Sequence, residues 1–187
     1  MSVRLIRKSE NIEHGWSGGN TSEIFLWPEG SSWQKKDFQI RISAAVTTLG
    51  GAPFTDFSGF TRHISPTEGR MHIIHRGHHE RVLDMFDVDT FDGAWDTWSE
   101  GLYHDFNLLH TYDRNGRMQP VEANQVCRCP AGSFSGVFAA MPLDVIAVGQ
   151  TYVLSAGDFL LVDADKDLDI EVKAFIKTPG FFVTVTR

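Results

Sequence analysis

Runs of strand length recur along this chain, each stopped by Gly, Pro, Asp or Asn, and that punctuation limits the fold more than any other feature. Phe38–Val46 alternates cleanly, with Phe38, Ile40, Ile42, Ala44 and Val46 on one side. Successive strand side chains point to opposite faces, so this is the pattern of a strand with one apolar face. Ser22–Trp27 ends at the turn signal Pro28-Glu29-Gly30. Met71–His75, Arg81–Phe86, Val121–Cys129, Val137-Phe138, Asp144–Val148, Tyr152–Leu154, Phe159–Val162, Asp169–Ile176 and Phe181–Thr184 follow. Short strands at intervals of about 8–12 residues predict an all-β sandwich or barrel. Helix is scarce; only Asp105–Tyr112 could turn helically at its end. The polar run Tyr112–Arg117, with its Asn115-Gly116 turn dipeptide, divides the chain into two β-rich halves, 1–112 and 113–187.

Composition narrows the partners. A net charge of −7 without a long basic run speaks against a grip on nucleic acid, whose phosphates the acidic surplus repels. The opening Met1–Lys8 carries charges where a signal peptide needs an apolar region, and no stretch approaches the roughly 20 apolar residues of a membrane span. Cys127 and Cys129, the only two cysteines, stand in C-x-C spacing. That spacing suits neither a zinc half-site nor an unstrained disulfide, so both read as reduced thiols packed on one strand face. A cytoplasmic location is the expectation. A homodimer is compatible with an edge-rich β protein.

Polar residues stand at alternate positions in otherwise apolar strands: Arg41 with Ser43, Asp105 with Asn107, and Thr21 with Glu23 after Gly18-Gly19. Each pair shares a face, and a face of this composition suits a ligand better than a core. Arg62 closes a stiff aromatic loop beginning at Ala52-Pro53-Phe54. Guanidinium groups bind carboxylates through paired hydrogen bonds. The same residues could equally form an internal salt-bridge network, and the residue pattern alone does not separate the two readings.

Other motifs carry less. His72 and His75 fall on opposite faces of a strand, and Gly77 reads as a hairpin tip that leaves His78 and His79 in solvent. A surface histidine cluster is the reading, with no metal and no cofactor. All eight histidines precede Tyr112, so the second half cannot supply a histidine site. Asp163, Asp165, Asp167, Asp169 and Glu171 resemble a calcium loop, but Leu168 and Ala174 stand where such a loop needs Gly and Glu. Gly132–Gly136 places Phe134 at the nucleophile position of a Gly-x-Ser-x-Gly motif, which excludes that chemistry.

Five segments in order resemble the HutD/Ves family: Trp16–Ile24, Phe38–Ala45, Ala52–Arg62, Asp105-Phe106-Asn107 and the turn Gly157-Asp158. The chain departs from the family pattern at Ala52, Thr55 and Leu109. The resemblance implies a cupin-like double-stranded β-helix with two barrel halves (a bicupin-like arrangement) lacking the metal-binding histidines of catalytic cupins. It also implies a small-molecule-responsive regulatory protein associated with histidine utilisation, with N-formylglutamate a proposed ligand; Ves relatives are linked to stress responses. Carried across, the ligand-binding residues are Thr21, Glu23, Arg41, Ser43, Arg62, Asp105 and Asn107, with Trp16 and Phe57 as cavity walls. The expectation is reversible binding of a small carboxylate rather than catalysis. Two alternatives stay open: a metal-free lyase or isomerase with Asp105 or Glu23 as base, and a metal-dependent oxygenase built on the histidines.

Overall fold

In the computed structural model, which describes residues 1–187, the chain forms nineteen strands and one short 3-10 helix. Every strand pairing is antiparallel. The strands group into two units, a terminal one (Met1–Asn11 with Arg114–Arg187) and a central one (Ile12–Asp113). No helix is long and apolar enough to cross a membrane.

The terminal unit begins with β1 (Ser2–Ile6). The central unit comprises β2 (Ile12–Trp16), β3 (Gly19–Trp27), β4 (Ile40–Thr47), β5 (Gly51–Pro53) and β6 (Phe60–Gly69). It continues with β7 (Met71–His75), β8 (His79–Leu83), β9 (Asp89–Asp92), β10 (Thr97–Glu100) and β11 (Tyr103–Thr111). These form a six-stranded sheet, β2-β3-β4-β11-β6-β9, and a four-stranded sheet, β5-β10-β7-β8. Ile64, Met71, Ile73, Leu83, Phe91 and Tyr103 form one buried cluster; Phe38, Phe57, Phe60 and Leu109 form another.

The chain then returns to the terminal unit with β12 (Gly116–Val121), β13 (Val126–Cys129), β14 (Ser133–Ala139) and β15 (Leu143–Ala147). It ends with β16 (Gln150–Leu154), β17 (Phe159–Ala164), β18 (Leu168–Lys173) and β19 (Gly180–Thr186). The sheets here are β1-β17-β14-β19-β12 and β13-β18-β15-β16. Their core includes Val137, Val145, Leu160, Val162, Ile170 and Val172, and both free cysteines, Cys127 and Cys129, belong to it. Burial pushes the Cys127 thiol up to about 12 and the Cys129 thiol up to about 11, so both stay protonated and inert.

Four details differ from the sequence expectation. Residues 1–11 belong with the C-terminal segment rather than with residues 12–112, because β1 pairs along its length with β17, Ser2 opposite Asp163 through Ile6 opposite Phe159. Arg7 and Lys8 are held there by Asp158. Its carboxylate accepts hydrogen bonds from Arg7 Nη1 (2.8 Å), the Lys8 N–H (2.9 Å) and the Ser155 N–H (2.9 Å). Gly157 at φ +92 lets the Lys8 stem lie close by, since an added Cβ would come within 2.6 Å of it. Second, Val121–Cys129 is two strands, divided where Asn124 takes φ +64. Third, Asp105–Tyr112 is strand up to Thr111, not helix, because its N–H and C=O groups are committed to neighbours on both sides. Fourth, Arg81–Phe86 stops being strand at Leu83, and Phe86 takes φ +70.

The acidic run is tied down by cations. Asp165 pairs with the N-terminal ammonium at 2.6 Å, Asp167 and Asp169 with Arg128 at 2.8 and 3.0 Å, and Asp163 with Arg187 at 3.1 Å.

Candidate functional site

Register, not sequence proximity, gathers the polar side chains. Residues opposite one another in neighbouring strands point to the same face. Across β3, β4 and β11, one row holds Thr21, Ala45 and Asp105, and the next holds Glu23, Ser43 and Asn107. Arg41 and Arg62 flank Leu109 in a third row, on β4 and β6. On β4 the opposite face carries Ile40 and Ile42, both fully buried, which sinks this strand into protein and keeps Arg41 and Ser43 out of bulk water.

The face lines a cavity of about 310 Å³. Eight of the nine residues expected from the sequence border it: Trp16, Thr21, Arg41, Ser43, Phe57, Arg62, Asp105 and Asn107. Glu23 does not. Beyond it β3 shifts register between Glu23 and Phe25, and the Glu23 carboxylate sits beside Arg41 with Oε2 3.4 Å from Nε. Its place is behind the guanidinium. Tyr103, Thr47, Phe54, His14 and Trp33 also line the cavity and were not anticipated. Tyr103 and Thr47 face each other across β4 and β11, so the alternation already used for Asp105 and Asn107 could have found Tyr103.

The Trp-x-Gly-Gly opening has a steric cause. The Trp16 ring folds over Gly18 so closely that an added Cβ would sit 1.9 Å from it, and a Cβ on Gly19 would sit 1.9 Å from the Val46 carbonyl oxygen. Only glycine lets the indole close this end of the cavity.

A polar relay crosses the floor. Arg62 donates from Nε (3.0 Å) and Nη2 (2.8 Å) to the one carbonyl oxygen of Asn107, and Asn107 Nδ2 donates to Asp105 Oδ1. A guanidinium has five N–H groups; two of those on Arg62 go to Asn107, and no carboxylate pairs with it. The Arg62 guanidinium lies over Phe54, 4.3 Å from the ring centroid, and 5.9 Å from that of Phe91.

Burial sets the electrostatics. Desolvation pulls Arg62 down to about 10, with nearby Asp105 opposing and Arg41 reinforcing the fall. Desolvation likewise lowers Arg41, against the stabilising charge and hydrogen bond of Glu23. Asp105 is raised to about 7 because burial outweighs Arg62, the Asn107 hydrogen bond and Arg41. The site therefore combines one cation paired directly with a carboxylate (Arg41 with Glu23), one cation in no direct ion pair whose nearby acidic group is Asp105, and, in Asp105, a carboxyl group poised near neutrality. This donor set does not fit a divalent metal. The guanidiniums can only donate, and their charge repels a cation.

The histidine run sits elsewhere in the central unit. β7 and β8 form the anticipated hairpin around Gly77, and His72 and His75 do fall on opposite faces, His75 buried. His79 departs from expectation: it leans back onto Asp89, 3.4 Å from Oδ2, and His78 stacks on Trp95 at 3.8 Å.

Comparison with known proteins now decides the family. The HutD family model matches residues 8–178. The chain belongs to the HutD family. HutD from Pseudomonas fluorescens SBW25, whose structure is described for a formate condition, superposes with a TM-score of 0.82 at 24% identity, covering 99% of this chain and 98% of that one. A conserved protein of unknown function from Pseudomonas aeruginosa PAO1 gives 0.84 at 24% identity, covering 100% and 98%. A cupin 2 conserved barrel domain protein from Leptotrichia buccalis gives 0.57 at 9% identity, covering 100% and 98%. The fold is thus HutD-like and cupin-like. No curated protein sequence matches the chain.

Proposed function

We propose that this HutD protein reversibly binds a small carboxylate in the cavity of its central unit and serves as a regulatory sensor rather than an enzyme. The observation that carries the reading is Arg62: a guanidinium on the cavity wall, fixed in plane by Asn107, without a carboxylate partner. Such a group costs stability unless an anion satisfies it, and a planar carboxylate matches its fork. Arg41, already neutralised by Glu23, orients the polar end of the guest. Asn107, Thr21 and Ser43 offer neutral hydrogen bonds, and Trp16 and Phe57 wall the apolar part. Cavities of this size, mostly apolar with a few converging polar groups, are typical of small-ligand sites.

N-formylglutamate or another intermediate of histidine degradation is the ligand class the family resemblance favours, and formate is the smallest carboxylate that tests the clamp. A two-barrel bicupin arrangement, a cytoplasmic location and a role in histidine utilisation complete this reading. Isothermal titration of the wild type with formate, N-formyl-L-glutamate and urocanate is the test. At least one should bind, and Arg62→Ala should weaken it by at least about thirtyfold, the loss of roughly 2 kcal/mol that accompanies truncation of one partner in a buried charged pair. No heat with any of them, or an unchanged affinity in the variant, defeats the assignment.

A second reading rests on Asp105. A cavity carboxyl near 7 suits general acid–base work, and a metal-free lyase or isomerase would use it so. Deuterium incorporation into bound ligand, lost in Asp105→Asn, would support that alternative; a ligand recovered unexchanged opposes it.

A further inference from the structure

Away from the cavity, three potential metal ligands converge from two sheets of the central unit. His75 ends β7, His79 opens β8 directly opposite it, and Asp89 opens β9 in the six-stranded sheet. The Nε2 atoms of both histidines approach the same carboxylate oxygen, Asp89 Oδ2, at 3.1 and 3.4 Å, and one ligand atom from each residue lies within 4.8 Å of the others.

The surroundings orient each group. The Thr97 hydroxyl donates to the Trp95 carbonyl at 3.2 Å, so the single proton it carries is committed. Its oxygen, 2.8 Å from His75 Nδ1, is then left to accept from the ring. That arrangement puts the proton of a neutral His75 on Nδ1 and turns the Nε2 lone pair toward Asp89. Asp89 is oriented in the same sense. Its Oδ1 accepts from Arg81 Nη1 at 3.0 Å and from the Thr90 N–H at 3.1 Å, while Oδ2 receives only the two imidazoles. The His75 Nε2 lone pair facing that anionic oxygen is repelled unless a proton or a cation lies between them. Histidine ligands of metals commonly have their remaining ring N–H held in this way, and ligating carboxylates are commonly braced by hydrogen bonds.

We propose that His75, His79 and Asp89 form a binding site for a first-row divalent transition-metal ion such as zinc or cobalt. Two imidazoles and a carboxylate select such ions over calcium and magnesium, which prefer all-oxygen shells. Ligand atoms about 2.0–2.2 Å from a tetrahedral ion stand roughly 3.3 Å apart, close to the two nitrogen–oxygen separations of 3.1 and 3.4 Å at Asp89 Oδ2. The His75 and Asp89 side chains are buried at 0% and 5% exposure, whereas His79 is 38% exposed, so the site opens to solvent on one side and leaves room for water or an exogenous ligand. This departs from the surface-cluster expectation. The third ligand comes from a strand of another sheet, where spacing around the histidines gives no hint of it. The proposal is independent of carboxylate binding in the cavity.

Protein purified without an affinity tag and stripped with chelator should bind one equivalent of Co²⁺, seen as visible d–d absorption, with Zn²⁺ displacing it. Trp95 packs against both rings, its centroid 5.4 Å from His75 and 5.7 Å from His79. Its fluorescence should therefore quench on Co²⁺ binding, and Trp95→Phe should remove that component. His79→Ala, at a partly exposed position that can change without unfolding the hairpin, should weaken binding at least about tenfold. Asp89→Asn should do the same, and His104→Ala, which alters a half-buried histidine beside Glu68, should change nothing. Binding that survives His79→Ala unchanged, or that is lost with His104→Ala, overturns the site, as does absence of stoichiometric binding in the wild type.

Discussion

Asp105→Asn should make the protein more stable at alkaline pH, and the gain can be worked out. The folded state raises this carboxyl from 3.8 to about 7, chiefly by burial. A carboxyl with a raised folded-state pKa contributes most below its unfolded value, and that contribution is lost as pH climbs toward the folded value. Between pH 3.8 and 7 the native state holds one more proton than the unfolded state, so stability falls by about 1.4 kcal/mol per pH unit from this group. The penalty is about 1.6 kcal/mol near pH 5 and roughly 4 kcal/mol above pH 7. Asparagine keeps the shape and the acceptor that Asn107 uses, but carries no charge.

The assay is urea unfolding of wild type and variant near pH 5 and pH 8. The difference in stability between the two proteins should grow by about 3 kcal/mol over that interval, in favour of the variant. Comparing the two proteins at each pH matters because His63 pulls the other way. Burial, with His110 beside it, lowers that imidazole to about 4, so it adds stability as pH rises over nearly the same window. In the wild type alone the two largely cancel. A difference that stays constant from pH 5 to pH 8 would refute the desolvated Asp105, and with it the description of the cavity floor.

His63→Phe should expose the compensating half: the variant should lose about 3 kcal/mol less than wild type as pH falls from 6.5 to about 4, measured by thermal unfolding across that range. Asp158→Ala strands two backbone N–H groups and Arg7, and should cost about 3 kcal/mol in urea unfolding. In the wild type, burial works against that carboxylate, but its hydrogen bonds from Lys8, Arg7 and Ser155 hold it below the usual carboxylate range. Gly18→Ala should push the Trp16 ring outward; tryptophan emission should shift to the red and carboxylate affinity should fall, with stability changed by less than about 1 kcal/mol because the ring is already part exposed. Unchanged emission would remove Trp16 from the cavity wall.

What the sequence revealed and what it hid follow from the range of each interaction. Arg41 with Ser43 and Asp105 with Asn107 were legible because strand alternation is local and neither pair is interrupted by a bulge. Their joining into one cavity needed register, which sequence patterns do not encode directly, yet the ordered family motifs supplied it. Glu23 shares the row of Ser43 but does not border the cavity, because its carboxylate is taken up by Arg41, the orienting role open to it from the sequence. The partner of β1 lies about 160 positions away, and the His75–His79–Asp89 convergence joins two sheets. In both cases alternation says which face a residue is on but not what it faces. That an amide could orient an arginine was legible in the sequence; that Asn107, rather than a carboxylate, is the partner of Arg62 was not.

Pairing between β1 and β17 sets a timetable for synthesis. The ribosome makes Ser2–Ile6 about 150 residues before Phe159–Ala164, the strand that receives it. At about 5–20 residues per second, β1 waits at least several seconds with its backbone unpaired, while Ile12–Asp113 has every one of its own strand partners in hand long before. The nascent chain should therefore gain protease resistance over Ile12–Asp113 before Ser2–Ile6 is protected.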